Sequence, residues 1–149
     1  MKSSGVTHTE FTGSGRVGIV ASLFNKEYVD GLIESAQNQL AGIDTLIERV
    51  PGSYEIPLAV KLMFQKEQPD LVIAFGLIWE GQTAHADLLA VSVTDALLQL
   101  SLDFEKPVLH QVLTVKDEEQ ARERCFGDNF NRGTEAGQAA LFFLQKHKD

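Results

Sequence analysis

Leu71-Val72-Ile73-Ala74-Phe75 runs directly into Gly76-Leu77-Ile78-Trp79-Glu80-Gly81-Gln82-Thr83-Ala84-His85-Ala86-Asp87. The first five residues are apolar without alternation, the pattern of a parallel strand buried on both faces. A long helical pattern follows. The segment 76–87 therefore lies where a strand ends and a helix begins, and open α/β sheets bind their ligands at that edge. It carries a glycine that lets backbone approach a ligand, a hydroxyl, the N–H groups of a helix start, and one histidine. Those parts suit an anionic, phosphorylated substrate and a proton transfer.

Outward from this segment the chain alternates. Residues 16–24 read as a first strand (Val17, Ile19, Val20, Leu23), 45–50 as a second closed by Pro51-Gly52, 71–78 as the third and 107–115 as a fourth. Asn25 is placed to N-cap a helix whose apolar positions are Tyr28, Val29, Leu32, Ile33, Ala36 and Leu40, with Gly42 beyond its end. Further helices are expected over 55–65, 84–104, 117–125 and 133–147. Strand–helix alternation with continuous apolar strands implies a parallel sheet covered on both faces, with right-handed crossovers. The expectation is an α/β protein, a flavodoxin-like three-layer α/β/α sandwich with a four-stranded parallel sheet. Its strand order, 2-1-3-4, follows from fold-class preference. Residues 1–15 read as a flexible N-terminal arm, in which Val6 and Phe11 could dock as an edge strand on a neighbour, and residues 16–149 as a single domain.

Composition narrows the function classes. The 149 residues carry a formal net charge of −8, which argues against nucleic acid and anionic membranes as partners. No stretch is long and apolar enough to span a bilayer, and the first residues lack the apolar core of a secretory signal. A single cysteine, Cys125, rules out an intrachain disulfide and fits a cytoplasmic location. No Cys/His spacing or acidic cluster has the pattern of a metal site.

The helix over 86–104 presents two apolar stripes. Leu89, Val93, Ala96, Leu97 and Leu100 form one; Leu88, Val91, Leu98 and Leu102 form the other. Covering a sheet needs only one. Either the second stripe is a subunit interface, or the last helix, with Phe142, Phe143 and Leu144, covers it within the chain.

The candidate site residues each have a plainer reading. His85 has the right pKa range for acid–base work, with Asp87 placed to orient it, yet a histidine at a helix start is often merely exposed. Phe24 could stack on a planar ring or be a strand-end core residue. Ser53, Tyr54 and Glu55 follow the second strand and could bind polar ligand atoms, or Glu55 could simply favour the first helical turn. Gly81-Gln82-Thr83 is a fair anion cradle but no P-loop. Arg124 and Arg132 could hold phosphate or be ordinary surface arginines. His110 lies within the fourth strand, as a packed polar residue or a site wall. Cys125 is either a reactive thiol beside Arg124 or a buried inert one.

Several of these pieces, in order, resemble the lumazine synthase family: Phe24-Asn25; Val50-Pro51-Gly52-Ser53-Tyr54-Glu55-Ile56-Pro57; Gly76…Gly81-Gln82-Thr83-Ala84-His85-Ala86-Asp87; Leu113-Thr114 with Glu119-Gln120-Ala121-Arg122-Glu123-Arg124; and Asn131-Arg132-Gly133. The resemblance implies condensation of 5-amino-6-(D-ribitylamino)uracil with 3,4-dihydroxy-2-butanone 4-phosphate, giving 6,7-dimethyl-8-ribityllumazine, phosphate and water in riboflavin biosynthesis. It implies no metal and no cofactor. It makes His85 the proton-transfer residue and Phe24 the stacking ring. Ser53, Tyr54 and Glu55 would hold pyrimidine and ribityl groups, with Asn25, Ile78 and Trp79 at the pocket, and Gln82, Thr83 and Arg124 would hold phosphate. It also implies a homo-pentamer with sites between subunits, so that Arg124, Arg132 and His110 serve a neighbour's pocket. The short turn 125–131 is compatible with a 60-subunit shell.

Four positions depart from the family pattern. Glu80 stands where a basic residue is frequent, Trp79 where a small or aliphatic one is. His110 replaces an aromatic wall residue, and Arg132 a lysine. The rival readings are a riboflavin synthase of the related pentameric type and a non-catalytic lumazine- or flavin-binding or shell-forming homologue.

Overall fold

The computed structural model describes residues 15–81 and 84–148, without the side chains of 147 and 148. The expected N-terminal arm and the pair Gln82-Thr83 lie outside the described residues. Among the described residues, four parallel strands form one sheet in the order β2-β1-β3-β4: β1 Arg16–Ser22, β2 Asp44–Val50, β3 Leu71–Trp79 and β4 Val108–Val115. The helices are α1 Lys26–Gln39, α2 Ile56–Glu67, α3 Ala84–Phe104, α4 Glu118–Phe126 and α5 Arg132–Lys148, and a 3-10 turn, Ser53–Glu55, leads into α2. This is the three-layer, flavodoxin-like arrangement in the expected strand order.

The continuous apolar runs are what make three layers. Side chains alternate along a strand, so β3 sends Leu71, Ile73, Phe75 and Leu77 into the core under α1 and α5. It sends Val72, Ala74 and Ile78 into the core under α2 and α3. β1 divides likewise, Val17, Ile19 and Ala21 to the first core and Val20 to the second. Burial on both faces pins the register, which pairs Val17 with Leu71 and Trp79 with Val115.

Helix α3 buries Val93, Leu97 and Leu100, while Leu88, Val91, Leu98 and Leu102 stand more than half exposed. Among the described residues the second stripe is thus uncovered. The alternative in which the last helix covers it is not what forms, because α5 packs on α1, on the opposite face of the sheet. The reason is in α5 itself. Gly133 and Gly137, one turn apart, let its backbone sit directly on α1. A Cβ added at Gly133 would fall 2.3 Å from the Leu32 carbonyl oxygen, and one at Gly137 2.6 Å from the Gln39 Cβ. Asn131 locks the entry, with Nδ2 donating to Ser35 Oγ at 3.0 Å and Oδ1 accepting from the Thr134 N–H at 2.9 Å. Gly133→Val is therefore expected to lower stability by about 3 kcal/mol, the upper part of the overpacking range. A urea titration with an unchanged slope and a lower midpoint reads this.

Candidate active site

A cavity of about 350 Å³ opens at the carboxyl edge of the sheet. Four separate pieces of chain line it: Phe24 after β1, Gly52 to Tyr54 after β2, Leu77 to Trp79 at the end of β3, and His85, Ala86 and Leu89 on the first turns of α3. In the order β2-β1-β3-β4 the chain leaves β1 in opposite directions, and the crevice at such a switch point is where α/β sheets hold ligands.

Phe24 is 66 % exposed and Tyr54 73 %, so neither is a core residue. The strand-end reading of Phe24 thus gives way to a ring presented at the cavity. The Phe24 N–H donates to Pro51 O at 3.0 Å, which ties the β1 exit to the β2 exit. Ser53 is buried, and Gly76 makes room for it: a Cβ at Gly76 would lie 2.7 Å from Ser53 Oγ. The space at Gly76 therefore serves Ser53. Glu55 Oε1 accepts from the Gly52 N–H at 2.8 Å, closing the turn on which Ser53 and Tyr54 stand. Glu55 itself does not line the cavity.

Asn25 occupies the N-cap position of α1 but does not cap it. Its backbone is left-handed (φ 60°, ψ 41°) and its side chain makes no capping bond. Instead Nδ2 donates to Leu77 O at 2.7 Å, and Oδ1 accepts from Trp79 Nε1–H at 3.1 Å. The capping expectation fails because β3 offers the amide two partners at once. Trp79 stands edge-on to Tyr28, with ring centroids 5.7 Å apart.

His85 reaches the cavity from an exposed first turn of α3. Asp87 does not line it: residues two apart on a helix do not face each other, so the expected pairing with His85 is not the arrangement found. Gly81, with φ 77°, ends the approach from β3 in the left-handed region.

Arg124, Arg132 and His110 do not line the cavity of their own chain. Arg124 Nη1 reaches Thr114 O at 3.5 Å, beside the β4 end of the same sheet edge. Arg132 pairs with Glu135 at 2.9 Å at the start of α5. His110 sits opposite Ala74 in the middle of β4, with Nε2 2.8 Å from Thr94 Oγ1 and Nδ1 accepting the Val112 N–H at 3.1 Å. Since Nδ1 accepts, the proton of the neutral ring is on Nε2 and donates to Thr94. Although the strand is open, the ring is lodged against α3, and desolvation lowers its pKa below the ordinary histidine value. Leu77, Ala86 and Leu89 line the cavity without having been singled out as site residues. Leu89 belongs to the buried-side stripe of α3, and only the position of its first turn over the β3 exit brings it to the site.

Cys125 is the buried, inert thiol. Burial pushes its pKa up to about 12, with Arg124 pulling weakly the other way. The folded chain should leave Ellman's reagent unreacted at pH 8 and release one equivalent of chromophore after unfolding in urea. The raised pKa also fixes a sign. Its contribution to stability is whole below the unfolded thiol pKa of about 8.5 and is lost as pH rises toward the folded value. Cys125→Ala should therefore flatten the alkaline limb of the stability profile.

Among the described residues, no group of three or more His, Cys, Asp or Glu side chains is placed to hold a metal ion, and no helix is long and apolar enough to cross a membrane.

Comparison with known proteins supplies the remaining finding. The sequence model of the 6,7-dimethyl-8-ribityllumazine synthase family matches residues 14–148. The curated 6,7-dimethyl-8-ribityllumazine synthase of Aquifex aeolicus is 41% identical over 131 residues, 85% of this chain and 85% of that one. The synthase of Bdellovibrio bacteriovorus is 39% identical over 87% of this chain and 73% of its own length. That of Thermococcus kodakarensis is 36% identical over 91% of this chain and 89% of its own.

Proposed function

The chain belongs to the 6,7-dimethyl-8-ribityllumazine synthase family, and we propose that the cavity between Phe24, Tyr54, Trp79 and His85 is the pyrimidine end of its active site. The enzyme is a transferase of riboflavin biosynthesis. It condenses 5-amino-6-(D-ribitylamino)uracil with 3,4-dihydroxy-2-butanone 4-phosphate to 6,7-dimethyl-8-ribityllumazine, phosphate and water. The observation that supports this placement is the convergence of Phe24, Ser53, Tyr54, Ile78, Trp79 and His85, from four separate pieces of chain, on one cavity.

The chemistry divides among these residues. The pyrimidine ring stacks on Phe24, whose exposed face has no partner in the core. The N–H groups of Ser53 and Tyr54, at a helical start where such donors lack intrahelical partners, bind its polar edge. Glu55 Oε1 is held by Gly52, leaving Oε2 to accept from a ribityl hydroxyl. The 5-amine attacks the ketone and loses water to form an imine; phosphate is eliminated with a proton from the adjacent carbinol carbon, leaving an enol that becomes a carbonyl; and the ribitylamino nitrogen closes on that carbonyl with loss of a second water. His85 moves the proton these steps require. Holding both substrates in one cleft supplies much of the acceleration. No net oxidation or reduction occurs, so the sequence of steps calls for no redox cofactor.

Phosphate is held by Gln82, Thr83 and Arg124, with Arg124, Arg132 and His110 serving the pocket of an adjoining subunit. The assembly is a homo-pentamer in which the exposed stripe Leu88, Val91, Leu98 and Leu102 is buried between copies. Four large apolar side chains on one helix face are an interaction surface of the kind that rarely stays in water. The enzyme works in the cytoplasm, where a free thiol such as Cys125 persists.

Incubating the pure protein with both substrates tests the reading. Lumazine should appear with a matching release of phosphate. A protein that forms nothing from the pair, or that converts lumazine alone to riboflavin, contradicts it.

A further inference from the structure

We infer that Asn25 is a positioning residue for this reaction, acting through Trp79: its amide fixes the indole as a rigid wall of the pyrimidine pocket. The inference rests on the placement of the pyrimidine in that cavity. Four observations carry it. Asn25 does not line the cavity, whereas both of its partners, Leu77 and Trp79, do. Its two amide atoms are assigned without ambiguity, because only the NH2 group can donate to Leu77 O and only the oxygen can accept from the indole N–H. Its backbone takes the left-handed conformation, which asparagine tolerates better than other non-glycine residues, and forgoes the helix cap to make this bridge. Finally, Tyr28 closes the other side of the indole edge-on, and its own hydroxyl lies 3.3 Å from Glu118 Oε2 on α4.

The indole is thereby held from two directions, with its polar edge turned toward Asn25. Without the amide the half-buried indole N–H would lack its acceptor, and the ring would gain freedom to rotate into the space the pyrimidine occupies. A pre-oriented wall lowers the cost of ordering the site on binding. The effect should therefore fall on affinity for the planar ring, with little on the phosphate-bearing substrate.

The experiment is a double-mutant cycle on binding of 6,7-dimethyl-8-ribityllumazine, followed by the ligand's own fluorescence, in the full-length protein, Asn25→Ala, Trp79→Phe and the double variant. Each single change should weaken binding about fivefold, the scale of one lost hydrogen bond with its orientation. Adding Asn25→Ala to Trp79→Phe should then change nothing beyond error. Independent effects that multiply in the double variant, or an Asn25→Ala protein that binds as tightly as the parent, overturn the proposal. Trp79 is the only tryptophan of the chain, so the ligand-free protein gives a second readout. Asn25→Ala should shift its emission and raise its quenching by acrylamide; an unchanged spectrum and quenching overturn the proposal as well. A parent protein that neither binds nor forms lumazine would instead overturn the site assignment, an outcome distinct from multiplicative effects in a protein that does both.

Discussion

Replacing His85 by alanine is expected to slow lumazine formation about a hundredfold, the low end of what a positioned acid–base group contributes. The fold should survive. His85 lies on an exposed first turn of α3, belongs to neither core, and alanine is the better helix former. The loss should be in turnover rather than in affinity for the pyrimidine, which the proposed site holds by stacking and by the turn after β2. Thermal unfolding measured beside the steady-state kinetics separates the two causes. An unchanged rate in a folded variant removes His85 from the chemistry.

Arg124→Ala is expected to raise the KM of the butanone phosphate about tenfold or more, since a guanidinium–phosphate contact is charge-assisted and roughly twice as strong as a neutral bond. The pyrimidine KM should stay within about twofold, the spread ordinary for a remote surface change. The structure motivates both halves. Among the described residues Arg124 makes a long 3.5 Å hydrogen bond to Thr114 O, through one of the five donors of its fork. It stands on the carboxyl edge of the sheet but outside the cavity of its own chain. If the phosphate end is completed by a neighbouring subunit, co-assembling His85→Ala with Arg124→Ala subunits should restore activity that neither has alone, because some sites then pair an intact histidine with an intact arginine. Failure of the mixed assembly to recover would place both residues in a site built by one chain.

Much of the fold was legible because burial on both faces leaves an unmistakable trace. Leu71 to Ile78 shows no polar alternation, and β1 and β3 are found where such runs lie. The two apolar stripes of α3 were legible from their helical spacing, one buried and the other exposed in this chain. The route of α5 was harder. Its phenylalanines suggested a cover for α3, whereas the decisive residues were Gly133 and Gly137, whose missing side chains set how closely two helices approach. Pattern reading weighs what a residue adds and is blind to what its absence permits. At the site, Phe24, Ser53, Tyr54 and His85 were legible as residues just beyond strand ends. Asn25 was misread because capping is a local rule, and the competing partners, Leu77 O and the Trp79 indole, lie more than fifty positions away in the chain. Arg132 and His110 have intrachain partners, Glu135 and Thr94, that single-chain reading of the sequence did not anticipate.

The most direct measurement is a crystal structure with 6,7-dimethyl-8-ribityllumazine bound. The account predicts the ring system against Phe24 with Trp79 at its edge, the ribityl chain along the turn Ser53–Glu55, and His85 facing the newly closed ring. A ligand seated away from Phe24, or one with His85 turned to a separate surface, would contradict it.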